Sequence, residues 1–436
     1  MVITWFAFFL LGIVSFVIKD APWFMPNVHF ISWTIVLITS CVFVVAMIRK
    51  YDGENVHWTT LAVVFAGYFA RVFLLFWDMY YRHIFLLPSS GGDTEAFYRA
   101  ASGMGGGSWL YSDMLTVLFQ FFGQQRIIGQ YVNILMGITS IFFAMRILRK
   151  FTNNRNTLLI ALTLGMLLPY NMILNAILLR EALITLWLTA SLYFFVLWLK
   201  DNKLWGIFLA TGCTLAASFH HPGSIFVALG YAVCFVLYDR ADNKFKFRLK
   251  SVVPALVSLL VFLIIDSMFG ADIFRRLQGW DIESLIGFVE IEAGGSAYTF
   301  IIETGSDFLN FLFNTPVRMI YFILSPFPWY WRGPFDIIAF VFSSIFYGYS
   351  YWAAVKAIRD KESKNRHVII AFFIISLACI FIFGWGSRNT GTAMRHRDKF
   401  MLFHVLMLSL SIDKSEAFYK VPESISERLG LSWPTR

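Results

Sequence analysis

The chain reads as an all-α polytopic membrane protein, and three observations lead there. It is 58% hydrophobic and only 14% charged over 436 residues, where a soluble domain carries about 25% charge. Apolar runs of membrane-crossing length, about 20 residues, recur along it. Those runs lack the period-two alternation that a β-barrel requires, so the spanning elements are helices. The 48 Phe and 15 Trp suit lipid-facing and interfacial surfaces. Soluble, disordered and disulfide-stapled classes are excluded on the same grounds.

Residues 1–18 are the first expected span. This run has neither a basic leader nor a small-residue cleavage site, which favours a retained helix over a signal peptide. Further runs follow at 29–48, 57–77, 127–147, 157–173, 181–199, 204–219, 222–238, 251–269, 335–356, 366–384 and 399–413. They give about twelve crossings in a single transmembrane domain, residues 1–412, followed by a tail, 413–436. Basic clusters come after the even-numbered runs: Arg49/Lys50, Arg146/Arg149/Lys150/Arg155, Lys200/Lys203, Lys244/Lys246/Arg248/Lys250 and Lys356/Arg359/Lys361/Lys364/Arg366. The positive-inside rule places these clusters, both termini and the tail in the cytoplasm. Much of the net charge of +9 is thus loop charge, and no nucleic-acid partner is expected.

One apolar run, 308–325, breaks this parity. Asn314-Thr315-Pro316 interrupts it, and Pro328 and Pro334 bracket the aromatic stretch FPWYWRGP that follows. The segment is expected to be re-entrant or interfacial, covered by protein or water, with a thirteenth crossing as the alternative. The four cysteines, Cys41, Cys213, Cys234 and Cys379, lie inside apolar runs as packing residues, without metal or disulfide spacing.

The two longest loops, 78–126 and 270–334, fall on the outer side and carry glycines at 91–92, 103, 105–107 and 294–295. Long ordered loops commonly carry function. In the first, Asp93 and Glu95 follow a glycine pair, and Tyr98 and Arg99 open an expected amphipathic surface helix. A carboxylate there can take a proton from a hydroxyl or ligate a hard divalent cation, Mg or Mn. The plainer alternative is that both acids stabilise a helix N-terminus.

Three further motifs share that side. In ILLREALITLW, Arg180 can contact phosphate with Glu181 orienting it, or the two form an ion pair with Arg180 reaching for headgroups. In SFHHPGS, His220 and His221 sit in a short turn, where they hydrogen-bond a substrate or cap the turn. In GWGSRNTGTAMRHRDKF, Arg388, Arg395, His396, Arg397 and Lys399 gather on the side where the charge rule disfavours them. Arg71 adds a charge inside the third span, where it costs about 2.5–3.5 kcal/mol on the mild insertion scale and needs a partner. Clustered arginines suit phosphate or diphosphate, and anionic lipid headgroups are the alternative. P-loop, Rossmann and GxSxG motifs are all missing. A membrane-soluble anion such as a polyprenyl phosphate therefore fits better than a cytoplasmic nucleotide.

With GDTEAFYRAA, LLREALITLW, LSPFPWYW and GTAMRHRDKF in that order and on one side, residues from about 60 to 412 resemble a known class. They are similar to bacterial integral-membrane glycosyltransferases of the GT-C superfamily and the related Wzy- or EpsG-type polysaccharide polymerases. The resemblance implies a GT-C-like fold in the bacterial cytoplasmic membrane, working beside other polysaccharide-assembly proteins. It implies sugar transfer from a polyprenyl-phosphate- or diphosphate-linked donor to a glycan acceptor on the outer face. Carried over, Asp93 is the base or metal ligand with Glu95 as its neighbour, and Arg180, Arg395 and Arg397 hold the phosphate. The donor's lipid would enter near the aromatic segment that contains Trp329. Asp-Thr-Glu stands where paired aspartates are usual, which leaves metal dependence open. The rival from another class is a lipid-linked glycan flippase, which would need charge through the membrane depth.

Overall fold

A computed structural model describes residues 1–19, 28–51, 57–105, 110–239, 242, 244–246 and 302–413. The expected span 251–269, the first part of the second outer loop (270–301, with its glycines at 294–295) and nearly all of the tail lie outside the described residues.

The described chain is almost entirely helical. The first loop is bracketed by α1 (Val2–Ile18), α2 (Val28–Tyr51) and α3 (Trp58–Tyr80) before it, and α6 (Arg126–Leu148) after it. Within that loop lie two short helices, α4 (Gly92–Ala101) and α5 (Leu110–Phe122). Next come α7 (Arg155–Leu167), α8 (Pro169–Ala176), α9 (Glu181–Asp201), α10 (Trp205–His220) and α11 (Phe226–Leu237). A two-residue hairpin then pairs Tyr238-Asp239 with Lys244-Phe245. After 302 the order is α12 (Asp307–Leu324), α13 (Pro334–Arg359, with a π turn at Phe340–Ser344), α14 (Arg366–Trp385), α15 (Thr390–Asp398) and α16 (Met401–Ile412). Six of these helices, α2, α3, α6, α9, α13 and α14, are long and apolar enough to cross a membrane. The pair α7 and α8 makes a seventh if it counts as one span bent by 50°. The protein is therefore an all-α polytopic membrane protein.

Helices α6 and α9 form the buried centre, and glycines let their neighbours approach. A Cβ on Gly137 would stand 2.4 Å from Asn175 Cγ, and one on Gly206 only 2.5 Å from the Phe194 carbonyl. Small residues at helix contacts serve packing where lipid offers no hydrophobic drive.

The bend between α7 and α8 has a local cause. Pro169 lacks an N–H, so the Gly165 carbonyl loses its helical donor. Arg71 of α3 supplies the replacement: it donates to the carbonyls of Met166 (2.7 Å) and Gly165 (3.4 Å) and to Asn171 Oδ1 (2.9 Å).

Within residues 308–325 the expected interruption does not break the helix. The helix α12 runs unbroken through Asn314-Thr315-Pro316. The side chains of Asn314 and Thr315 donate back to the carbonyls of Asn310 (2.6 Å) and Phe311 (2.7 Å) in the turn before the proline, so both polar groups are bonded within the helix. The helix stops later, at Ser325, next to Pro326.

The bundle has two chemically distinct ends. Lys150 pairs with Asp201 at 2.6 Å, and Thr152 and Thr157 donate to Asp413 at 3.0 and 2.6 Å. Met1, Lys50, Arg146, Arg149 and Arg155 wall one cavity at that same end. The chain thus begins, and at residue 413 leaves the last helix, at the basic end. The opposite end carries α4 and α15.

Candidate active site

At that opposite end one arginine joins three of the motifs found in the sequence. Arg395 of α15 pairs with Asp93 of α4 and donates through Nε to Glu181 Oε1 of α9 at 2.5 Å. Lys399 stands behind them, its Nζ 3.8 Å from the same Glu181 oxygen. The two ends of this chain differ sharply in exposure. Asp93's side chain is 59% exposed, while Glu181's is 1%. Arg395 is thus anchored from inside and presented outward. Burial works against its charge, but Glu181 and Asp93 outweigh that effect and hold the guanidinium above its ordinary pKa.

Arg180 and the three motif histidines, His220, His221 and His396, belong to the same cluster. Arg180 lies 5.8 Å over the ring of Phe97 and bears electrostatically on Glu181, His221, His396 and Lys399. The rings of His221 and His396 meet edge-on at 4.8 Å, and His396 shares a 3.2 Å contact with Ser387. Burial, then the Lys399, Arg180 and Arg395 charges, push both imidazoles well below their ordinary pKa, so they are neutral. Glu181 Oε2, Lys399 Nζ, His220 Nδ1 and His221 Nδ1 are buried and make no hydrogen bond among the described residues. Buried polar atoms without a bond cost about 1–3 kcal/mol each, so this cluster has hydrogen-bonding capacity to give a ligand.

Asp93 and Glu95 take part in different networks. The surface helix starts at Gly92, six residues before Tyr98, because Thr94 Oγ1 bonds both the Gly91 N–H (3.1 Å) and its carbonyl (2.8 Å). Two helical residues apart is about 200° of rotation. Glu95 accordingly faces away from Arg395 and is held by Arg82 (2.5 Å) and Arg126 (2.6 Å). Arg126 also stands 3.5 Å from Asp78, which accepts from Ser90 (2.5 Å) and Gln130 (2.7 Å). Burial raises the Glu95 carboxyl, but the two arginines overcome that and hold it below its usual range. A shared Mg or Mn ion between Asp93 and Glu95 does not fit this geometry. Among the described residues, no group of three or more His, Cys, Asp or Glu gathers to hold a metal.

Two arginines read as phosphate contacts are committed to the backbone. Arg71 and Arg397 are both 0% exposed. Arg397 lies about 200° round α15 from Arg395 and donates to the carbonyls of Phe322 (3.0 Å) and Ile323 (2.7 Å) and to Ser343 (3.1 Å). Phe322 is the residue whose carbonyl Pro326 cannot bond, so Arg397 does at the end of α12 what Arg71 does at the end of α7. A third buried arginine, Arg318, caps α14 through the Gly384 (3.2 Å) and Ser387 (2.5 Å) carbonyls. In each case a cation satisfies carbonyls left open at a helix C-terminus, where the dipole also favours it.

The remaining expected residues sit around this core. Tyr98 packs on Phe119 and lies under Arg126, while Arg99 is exposed on the far side of α4. Arg388 sits in the turn before α15, and Trp329 is exposed and stacked on Phe327 at 4.7 Å. An apolar groove of about 180 Å³ opens beside the cluster, between Tyr170 on α8, Phe335, Ile338 and Phe342 on α13, and Met394 next to Arg395. Asp78, Arg82 and Arg126 were not among the residues singled out in the sequence. Asp78 and Arg126 bound the first long loop, so acid and base at the facing ends of α3 and α6 were the available signal.

The chain matches no protein-family model, no curated protein and no solved structure.

Proposed function

We propose that the protein is a membrane glycosyltransferase or polysaccharide polymerase that uses a polyprenyl-phosphate- or diphosphate-linked donor. The observation that carries this reading is Arg395, held between buried Glu181 and exposed Asp93 with Arg180 close by. A base and a phosphate ligand therefore share one outward-facing point. The acceptor hydroxyl oxygen attacks the anomeric carbon opposite the phosphate, and its proton passes to the Asp93 carboxylate. The bond from the anomeric carbon to the phosphate oxygen breaks with inversion, and the electron pair leaves on that oxygen. Arg395 and Arg180 stabilise the charge that develops there, an electrostatic contribution from preset groups. The polyprenyl chain lies in the groove between Tyr170 and Phe342 and enters past Trp329. In the same reading, the basic end of the bundle faces the bacterial cytoplasm and the site faces outward.

The test is purified protein in liposomes with a labelled polyprenyl-linked sugar and a glycan acceptor. New glycosidic product from wild type, lost in Asp93→Asn and Arg395→Met at matched folding, supports the enzyme. Label that crosses the bilayer without a new glycosidic bond assigns the protein to lipid-linked glycan transport instead.

A further inference from the structure

A second cavity lies at the other end of the bundle, remote from the Asp93 cluster. It has a volume of about 630 Å³ and is enclosed by the start of α1, the end of α2, the start of α3, the end of α6 and the start of α7. That size falls in the range of small-molecule and lipid pockets, about 300–1,000 Å³. Its floor is apolar, with Ala46, Met47, Phe142, Leu158 and Leu162. Its mouth is cationic: Lys50, Arg146, Arg149 and Arg155 all contribute. Among the described residues that line it there is no carboxylate, and no described acid pairs with Arg146, Arg149 or Arg155. The acids nearest in sequence, Asp52 and Glu54, lie outside the described residues. On the α1 side the wall includes Val2 and Ile3, which are 83% and 61% exposed, so the apolar floor continues onto the outer surface of the bundle.

We infer that this cavity binds an anionic glycerophospholipid of the leaflet at the basic end. Four cations set around an apolar recess between membrane helices match a phosphate headgroup above acyl chains. A water-soluble anion would use the rim and leave the floor unoccupied. A zwitterionic lipid would fill the floor, but its choline would stand among four cations. The inference does not depend on the sugar-transfer reading, because no residue of the Asp93 cluster lines this cavity.

The test uses the full chain purified in a neutral detergent, with bound lipid counted by native mass spectrometry. Phosphatidylglycerol and phosphatidylcholine of the same chain length are titrated in parallel. Phosphatidylglycerol is expected to bind at least roughly tenfold more tightly, with the preference shrinking as salt rises. The triple variant Arg146→Gln/Arg149→Gln/Arg155→Gln is expected to lose the preference. Ala46→Trp, which fills the floor and leaves every cation in place, is expected to lose the lipid altogether. Equal binding of the two lipids by wild type overturns the inference without recourse to any variant. So does phosphatidylglycerol retained at full affinity by Ala46→Trp, which would put the lipid on the outer basic surface. Competition by glycerol phosphate at the lipid's own concentration would overturn the lipid assignment and leave a free-phosphate site.

Discussion

Substituting Asp93 by Asn separates ligand binding from turnover, because Arg395 has two carboxylate partners of unequal kind. The outer partner, Asp93, is 59% exposed, and an exposed pair of this sort contributes at most about 1 kcal/mol. A phosphate that approaches Arg395 must compete with that contact. In Asp93→Asn the competitor is neutral while Glu181 still orients the guanidinium from behind at 2.5 Å. Polyprenyl phosphate should therefore bind roughly two- to fivefold more tightly, the equivalent of about 0.4–1 kcal/mol. Turnover should fall by about a hundredfold or more, since a positioned base contributes roughly 10²–10⁴. Equilibrium binding of polyprenyl phosphate to the purified protein gives the first quantity, and product formation from a saturating lipid-linked donor gives the second. Opposite movements of affinity and rate are the expected signature. Weaker binding together with unchanged turnover would refute the assignment of both residues.

The inner partner behaves differently. Glu181→Gln leaves Arg395 and Lys399 without their buried carboxylate and should cost about 3–5 kcal/mol, read as a lower melting temperature in detergent; adding Lys399→Met should recover part of it. Arg71→Met opens the Gly165 and Met166 carbonyls at about 1–3 kcal/mol per unsatisfied group. Pro169→Ala restores a donor for Gly165, so the double variant should be less destabilised than the two single losses added together. His221 and His396 have depressed pKa values, so they stay neutral in the fold while the unfolded chain binds protons below about pH 6.5. Their contribution is present above that pH and is lost as pH falls, by up to about 1.4 kcal/mol per pH unit each. Melting temperature should drop between pH 7 and 5.5, and His221→Asn/His396→Asn should flatten that slope.

The helices were legible because each carries its own apolar run, and those at 181–201 and 366–385 begin and end close to where composition changes. Asp93, Glu181 and Arg395 were legible one by one as polar groups on a common face. Their contact was not, since Arg395 and Asp93 stand 302 positions apart in the chain and nothing local records the pairing. The split between Asp93 and Glu95 needed the true start of α4, which a Gly91–Thr94 cap sets and which composition alone placed too late. Arg71 and Arg397 show why residue type underdetermines role. A guanidinium fits phosphate oxygens and stranded carbonyl oxygens alike. The distinguishing signal was elsewhere in the chain, at Pro169 and Pro326, each four residues after a carbonyl that an arginine bonds.

Arg71 also bears on how the protein is made. The helix that carries it is synthesised long before its partners: the carbonyls and amide it bonds lie 94 to 100 residues further on. At ordinary translation speeds of about 5–20 residues per second, α3 must wait roughly 5–20 s for them. Of the acceptors it has in the finished fold, the Gly67 carbonyl of its own helix, at 2.8 Å, is the one already synthesised. A lone arginine in hydrocarbon opposes insertion, so α3 is expected to linger at the insertion machinery until α7 and α8 emerge. The three helices are then expected to enter the bilayer together, with Arg71 already bonded to the carbonyl that Pro169 leaves open.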